Sequence, residues 1–217
     1  MSRIVTLLTD FGTGDGFVAA MKGVLLSVAP DARVLDAGHE VPRGDVEAAA
    51  WALDQYFFLY PQETVHVVVV DPGVGTARRA LAARADGRYL VAPDNGVGTR
   101  VFARAGSLAC VEIANPEVLR LPVSATFHGR DVFAPAAAHL ARGTPLDRLG
   151  PPLPDPVRLP LPEPRRVETA AGPRLEGRVV HVDRFGNLVT DIPGDWLGDA
   201  AWEVTVESAG GPRAAPL

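Results

Sequence analysis

The 217-residue sequence is 47% hydrophobic and 22% charged, the balance of a globular chain with one or two domains and enough apolar side chains for a sizeable core. A net charge of -5 supplies no basic stripe for a phosphate backbone, so nucleic acid is not an expected partner. No apolar run approaches the roughly 18 residues of a spanning helix, and the opening "MSRIVTLLTDFG" lacks the length and cleavage site of a signal peptide, so no membrane association and a cytoplasmic location are expected.

In chain order, "RIVTLLT" (3–9) reads as a strand, 16–28 as a helix, "ARVLDA" (32–37) as a strand and 45–59 as a helix. The strand "VHVVVV" (65–70) follows, then a strand "RYLVAP" (88–93), a helix from about 96, a strand "LACVEI" (108–113) and a helix over 131–142. This alternation is the rhythm of an α/β domain, residues 1–150, with a mostly parallel sheet flanked by helices. The unbroken apolar run at 67–70 fits a strand buried on both faces. Cys110 is the one cysteine, which excludes an internal disulfide, and its apolar neighbours point to a packed thiol.

After Gly150 the texture changes. "PPLPDPVRLPLPEP" places seven prolines in fourteen residues, and proline's fixed φ and missing N–H favour an extended segment, so 151–172 reads as a linker. Beyond it, "RLEGRVVHVD" and "NLVTDI" look like an antiparallel pair around the turn "RFGN", with "WEVTVE" as one more strand. Residues 173–217 are therefore expected to form a small antiparallel β domain, shortened or partial, that leans on the first domain or on another chain.

Polar clusters sit where the strands end. "TDFGTGDG" brings Asp10 and Asp15 after the first strand, "DPGVGTARR" brings Asp71 after "VVVV", "PDNG" brings Asp94 and Asn95, and "TFHGRD" brings His128 just before a helix. Ligands of open α/β sheets bind outside the carboxyl ends of the strands, where loops converge on a rigid support. Each cluster also has a structural reading. Asp10 before glycine can be a turn residue or N-cap, "PDNG" is an ordinary turn sequence, and His128 can be a satisfied loop histidine. Asp71 resists that reading best, because a carboxylate at the end of an apolar strand is costly to desolvate unless paired, and Arg78 or Arg79 is the natural partner. Neither glycine-rich loop has phosphate-cradle spacing. No ligand-spaced metal motif is present, although Asp10, Asp15 and His128 are possible ligands.

Together, "TDFG…GD", "HEVPRGDVEAAAW", "DPGVGTARR", "APDNG", "TFHGRDVFAPAAAHLA" and "VVHVDRFGNLVTDI" resemble the S-adenosyl-L-methionine (SAM) hydroxide adenosyltransferases. These SAM hydrolases are the water-using relatives of the fluorinases and chlorinases. The resemblance runs from about residue 3 to residue 206 with the motifs in the family's order. It implies cleavage of SAM to adenosine and L-methionine without a cofactor, and a homotrimer whose substrate sites lie between one subunit's first domain and a neighbour's second. It further implies a catalytic set of Asp71, Arg78 and His128, with Arg78 preferred to Arg79 because the family's arginine lies seven residues after its aspartate. Asp10 is implied to grip the ribose hydroxyls, and Asp15 and Asn95 lie in matching loops. Asp183 of a neighbouring copy is implied to meet the methionine ammonium, with Phe185 and Asn187 at the adenine.

The halogenating relatives put a serine where Gly129 stands, replace the Asp-His pair and carry an insertion after the third strand. Only a short segment separates Asp71 from Tyr89 here, so the resemblance implies hydrolysis ahead of halogenation. Family members also continue past "AAPL" with strands bearing a glycine- and serine-rich segment, the basis for expecting a shortened second domain. The competing readings are a SAM-dependent halogenase, a non-catalytic SAM or adenosine binder, and a metal-dependent hydrolase using the loop carboxylates.

Overall fold

The computed structural model describes residues 3–170, 172–198, 201–208 and 211–215. It divides into two compact units, Met1–Pro160 and Leu161–Leu217. The first contains β1 (Ile4–Thr9), α1 (Phe17–Val28), β2 (Arg33–Gly38), α2 (Val46–Tyr56), β3 (Val65–Val69), β4 (Ala80–Ala85), β5 (Arg88–Pro93), α3 (Thr99–Arg104), β6 (Leu108–Glu112) and α4 (Ala134–Ala141). Its six strands lie in the order β2-β1-β3-β5-β4-β6. The pairs β1–β2, β1–β3 and β3–β5 are parallel, while β4 runs antiparallel to both β5 and β6.

The side-chain period of two divides each central strand between two cores. Val65, Val67 and Val69 join Val5, Leu7, Met21 and Phe133 on the face of α1 and α4, while Val68 and Val70 join Leu8, Leu53, Phe57 and Val101 on the face of α2 and α3. Both faces of β3 are thus sealed, as an uninterrupted valine run requires. Cys110 packs partly buried against the second core, where burial pushes its thiol up to about 11.

One strand of the sheet escaped the sequence reading. β4, "ALAARA", is mostly alanine, a strong helix former with little β propensity. It is a strand because it pairs on both sides and buries five of its six residues. The turn that forms it was legible: Asp86 and Gly87 take φ 43° and 79° between the paired Ala85 and Arg88, the all-positive backbone for which Asp-Gly is favoured in a two-residue hairpin.

The boundary between units also falls later than Gly150. Pro151 O accepts from Glu112 N–H (2.9 Å), Leu153 N–H donates to Cys110 O (2.9 Å), and the Leu153 side chain is buried in the second core. Val157 N–H then donates to Asp94 Oδ1 (2.8 Å) and Leu159 N–H to Thr99 Oγ1 (2.8 Å). Asp94 is held in turn by Arg79, whose Nε donates to Oδ2 at 2.8 Å and whose Nη1 reaches Asp155 Oδ1 at 3.0 Å. Proline removes donors at alternate positions, yet the donors that remain fasten 151–159 to the sheet.

Among the described residues, the second unit holds three antiparallel pairs: β7 (Arg165–Thr169) with β8 (Gly172–Glu176), β9 (Val179–Val182) with β10 (Leu188–Thr190), and β11 (Val204–Ser208) with β12 (Gly211–Ala215). The pair around "RFGN" and the strand in "WEVTVE" are present as expected. β7 lies within the stretch read as linker. Among the described residues, no helix is long and apolar enough to cross a membrane.

Asp94→Ala removes a fully buried acceptor for both Arg79 and Val157 N–H. Unfolding in denaturant should show a loss of about 1–3 kcal/mol, the cost of losing hydrogen bonds to a charged group, and limited proteolysis should open new cleavage between residues 153 and 160.

Candidate active site

The chain leaves β1 for β2 on one side and continues to β3 on the other, so β1 and β3 flank a topological switch point. Asp10 directly follows β1, and Asp71 stands two residues beyond the end of β3. Between their loops and the 126–129 segment lies a crevice of about 710 Å³. Asp10, Asp15, Asp71 and His128 all line it.

The loop after β3 is built to turn back. Val74 N–H donates to Asp71 O at 3.2 Å and Thr76 N–H to Gly73 O at 3.2 Å, while Thr76 Oγ1 accepts from Arg78 N–H at 3.3 Å. Gly75 has φ 78°, and a β-carbon there would stand 2.6 Å from Ala125 O, so only glycine lets this loop lie against the His128 segment. The reversal carries Arg78 onto Asp71. Arg78 Nε lies 3.0 Å from each carboxylate oxygen, and Nη2 also bonds Oδ2. Their side chains are only 11% and 5% exposed, which makes this a charge-assisted fork in a place where neither charge is tolerable alone.

The same guanidinium binds the imidazole. Arg78 Nη2 stands 2.7 Å from His128 Nδ1, and because arginine only donates, Nδ1 must accept. His128 is therefore the neutral tautomer with its proton on Nε2. Burial and the Arg78 charge both lower its pKa below the usual histidine value, against smaller opposing effects of Asp71 and Asp131. Arg78 also stacks over Phe133, with Cζ 5.2 Å from the ring centre.

His128 is presented by a π-turn, Gly129–Phe133, that leads into α4. The fully buried Asp131 holds that turn. Its carboxylate accepts from Arg120 (3.0 Å), Arg130 (2.7 Å) and Ser124 N–H (3.0 Å). Burial raises its pKa, but the Arg130 hydrogen bond, Ser124 N–H and Arg120 outweigh that and hold it at about 2.

Asp10 uses Oδ2 to accept from Gly44 N–H at 2.8 Å, which leaves Oδ1 available to a ligand. Asp15 is exposed on the crevice rim. Asn95 is not part of the lining: its Nδ2 donates to Val70 O at 2.9 Å and its Oδ1 accepts from Val97 N–H at 3.3 Å, so it braces the strand end that carries Asp71. Arg79, the other candidate partner of Asp71, faces away to Asp94 and Asp155. In the second unit, Asp183, Phe185 and Asn187 form one turn. Asp183 Oδ1 accepts from Phe185 N–H and Asn187 N–H, both at 2.8 Å, and Oδ2 from Asn187 Nδ2 at 2.6 Å. The Asn187 side chain and backbone amide lower the Asp183 pKa, and the Phe185 ring stands 89% exposed at the tip.

A family model described as the SAM hydroxide adenosyltransferase N-terminal domain matches residues 5–150, and its C-terminal counterpart matches residues 177–215. The chain belongs to the SAM hydroxide adenosyltransferase family. It is 49% identical over 191 residues to the (R)-S-adenosyl-L-methionine hydrolase of Salinispora arenicola, covering 85% of this chain and 70% of that protein. A fluorinase of an Actinoplanes species is more distant, at 33% over 215 residues, 87% of this chain and 71% of its own. A crystal structure of an uncharacterized conserved protein from Thermotoga maritima superposes with a TM-score of 0.84 at 38% identity, covering 93% of this chain and 76% of that one.

The crevice also has walls built from residues that the motifs alone did not single out. Phe11, Phe17 and Phe127 meet edge to face, with ring centres 5.2–6.2 Å apart, and Arg130 covers Phe127 with Cζ 5.0 Å from its ring centre. Arg43 lines the crevice beside Gly44. Phe11 and Phe127 adjoin the quoted acidic and histidine motifs directly, and that adjacency was the available signal. Among the described residues, no group of three or more His, Cys, Asp or Glu side chains could hold a metal ion.

Asp131→Asn weakens the hydrogen bonds that the buried carboxylate accepts from the partly exposed Arg120 and Arg130 and should cost about 1–3 kcal/mol of unfolding free energy. Because the folded pKa lies below the ordinary 3.8, this stabilisation is complete above 3.8 and is lost as pH falls through about 2. Chemical denaturation across that window should show a steeper acid loss in the native protein than in the variant.

Proposed function

We propose that this protein hydrolyses SAM to adenosine and L-methionine by in-line attack of water, delivered as hydroxide, on C5′ of the ribose. The observation that carries the reading is the single guanidinium of Arg78, set behind the lining, joining Asp71 and His128, which both line the crevice. The water oxygen bonds to C5′, the C5′–S bond breaks, and its electron pair neutralises the sulfonium to give the thioether of methionine. One proton is released. A sulfonium leaves without an acid, so the protein's tasks are alignment and activation of the nucleophile. Water's pKa of about 15.7 is the obstacle.

Arg78 supplies positive charge beside the oxygen where negative charge develops. Since Arg78 already occupies His128 Nδ1, the imidazole contributes its Nε2–H as a donor that holds the oxygen, and the Asp71 carboxylate is the acceptor for the water's hydrogen. Attack of hydroxide on a cation neutralises charge, a change that a water-poor pocket favours. Asp10 takes the ribose hydroxyls with its free oxygen, and Asp15 faces the substrate from the rim. In a homotrimer, a neighbouring copy supplies Asp183 to the methionine ammonium and Phe185 and Asn187 to the adenine. The exposed Phe185 ring on a locked turn supports that role. We assign this activity to the cytoplasm, where SAM is made and used.

Hydrolysis is preferred to halogenation on one further observation. A β-carbon at Gly129 would meet Met21 Sδ at 3.1 Å and both Phe11 and Phe127 at 3.4 Å, so the serine of the halogenating relatives would be crowded here.

Pure protein incubated with SAM should yield adenosine and methionine on chromatography, at a rate unchanged by chloride or fluoride. A 5′-halo-nucleoside would instead identify a halogenase, and binding without methionine release would identify a binding protein. Asp71→Asn and His128→Ala should lower kcat by about 10²–10⁴ while calorimetry shows adenosine binding nearly intact, whereas Asp10→Ala should chiefly weaken binding. Since the His128 pKa lies below its ordinary 6.5, kcat/KM should hold as pH falls through 6.5 and decline only further into acid, where protonation of Nδ1 expels the Arg78 contact.

A further inference from the structure

Beneath the Asp10 loop runs a relay, buried at Thr9 and His39, that the reaction itself does not use. Thr9, the last residue of β1, is fully buried, and His39, just after β2, is 6% exposed. Thr9 Oγ1 accepts from Phe11 N–H at 3.2 Å and lies 2.9 Å from His39 Nδ1. With Oγ1 accepting from the backbone, the hydroxyl hydrogen is free to go to His39 Nδ1, which puts the ring proton on Nε2. That nitrogen stands 3.0 Å from Asp36 Oδ1, off the line of a good hydrogen bond, and Lys22 Nζ holds Asp36 Oδ2 at 2.6 Å.

The backbone repeats the stitching. Gly12 N–H donates to His39 O at 2.8 Å, Val41 N–H to Thr9 O at 3.4 Å, and Gly44 N–H to Asp10 Oδ2 at 2.8 Å. Asp10 therefore sits between two residues tied to one hydroxyl, and that hydroxyl is oriented by an imidazole from the neighbouring strand. The contacts continue to α1 through Lys22. None of Thr9, His39 and Asp36 lines the crevice.

We propose that His39, acting through Thr9, is a positioning residue that sets the Asp10 carboxylate for the ribose hydroxyls. This rests on the SAM reading above. Its distinguishing mark is that it governs binding and leaves the chemical step alone, because the relay ends at Asp10 and does not touch Asp71, Arg78 or His128.

The test uses the full chain as wild type, Thr9→Val, Thr9→Ser, His39→Ala and His39→Asn, following methionine release from SAM, calorimetric binding of adenosine, and thermal melting. Thr9→Val and His39→Ala should raise both KM for SAM and Kd for adenosine about five- to tenfold, the effect of one or two lost hydrogen bonds, with kcat nearly unchanged. Thr9→Ser restores the hydroxyl and His39→Asn restores an acceptor near Nδ1, so both should stay close to wild type. Folded Thr9→Val or His39→Ala protein with wild-type KM and Kd overturns the proposal, as does a loss confined to kcat. Should His39→Ala fail to fold, the near-isosteric Thr9→Val decides. Wild-type protein that neither binds adenosine nor releases methionine removes the SAM reading and this inference with it, whereas a wild-type enzyme with indifferent variants removes the inference alone.

Discussion

One guanidinium holds the site together. Arg78 has five donors and no acceptor, and it spends them on both oxygens of Asp71, on His128 Nδ1 and on the carbonyl of Arg79. A carboxylate this deeply buried would be untenable without it, and the imidazole would have no fixed tautomer. The arrangement fixes geometry as well as charge, since a planar fork satisfied at three points leaves little freedom to any of the three side chains. Loss of Arg78 would therefore disturb the packing around Asp71 and the geometry of the candidate site together.

The scaffold exists to keep that fork still. β3 is sealed on both faces by two hydrophobic cores and flanked by parallel neighbours, so the position of Val70, and hence of Asp71, is set by close packing. Asn95 adds a hydrogen bond to the same strand end. From the other side, Asp131 clamps Arg120, Arg130 and Ser124 N–H to hold the π-turn that carries His128. Each element of the site thus has its own anchor, and the crevice lies between the loops they carry.

The two consecutive arginines show how close in sequence different tasks can lie. Arg78 serves the site, and Arg79 binds Asp94 and Asp155, fastening the proline-rich segment that leads towards the second unit. Successive side chains near a strand's start point to opposite sides, so one dipeptide reaches both the candidate site and the path of the chain. The turn at Asp183–Asn187 follows a different logic: its polar groups satisfy one another, which frees Phe185 to project as an apolar tip.

The sequence by itself determined the α/β class, the valine strand buried on both faces and the acidic residues at strand ends, because periodicity and the cost of burying charge are local properties that leave a local trace. The motifs in order also carried the family. It left Arg78 and Arg79 open until the resemblance was considered, since both lie within reach of Asp71 along the chain; only the path of the turn, with Ala125 against Gly75, decided which one meets it. The alanine-rich β4 was invisible because its conformation comes from two neighbouring strands and overrides its own propensity. The continuation of the first unit to Pro160, the bracing role of Asn95 and the Thr9–His39–Asp36 relay likewise depend on contacts between residues far apart in the chain, and such contacts are written in space before they can be read in sequence.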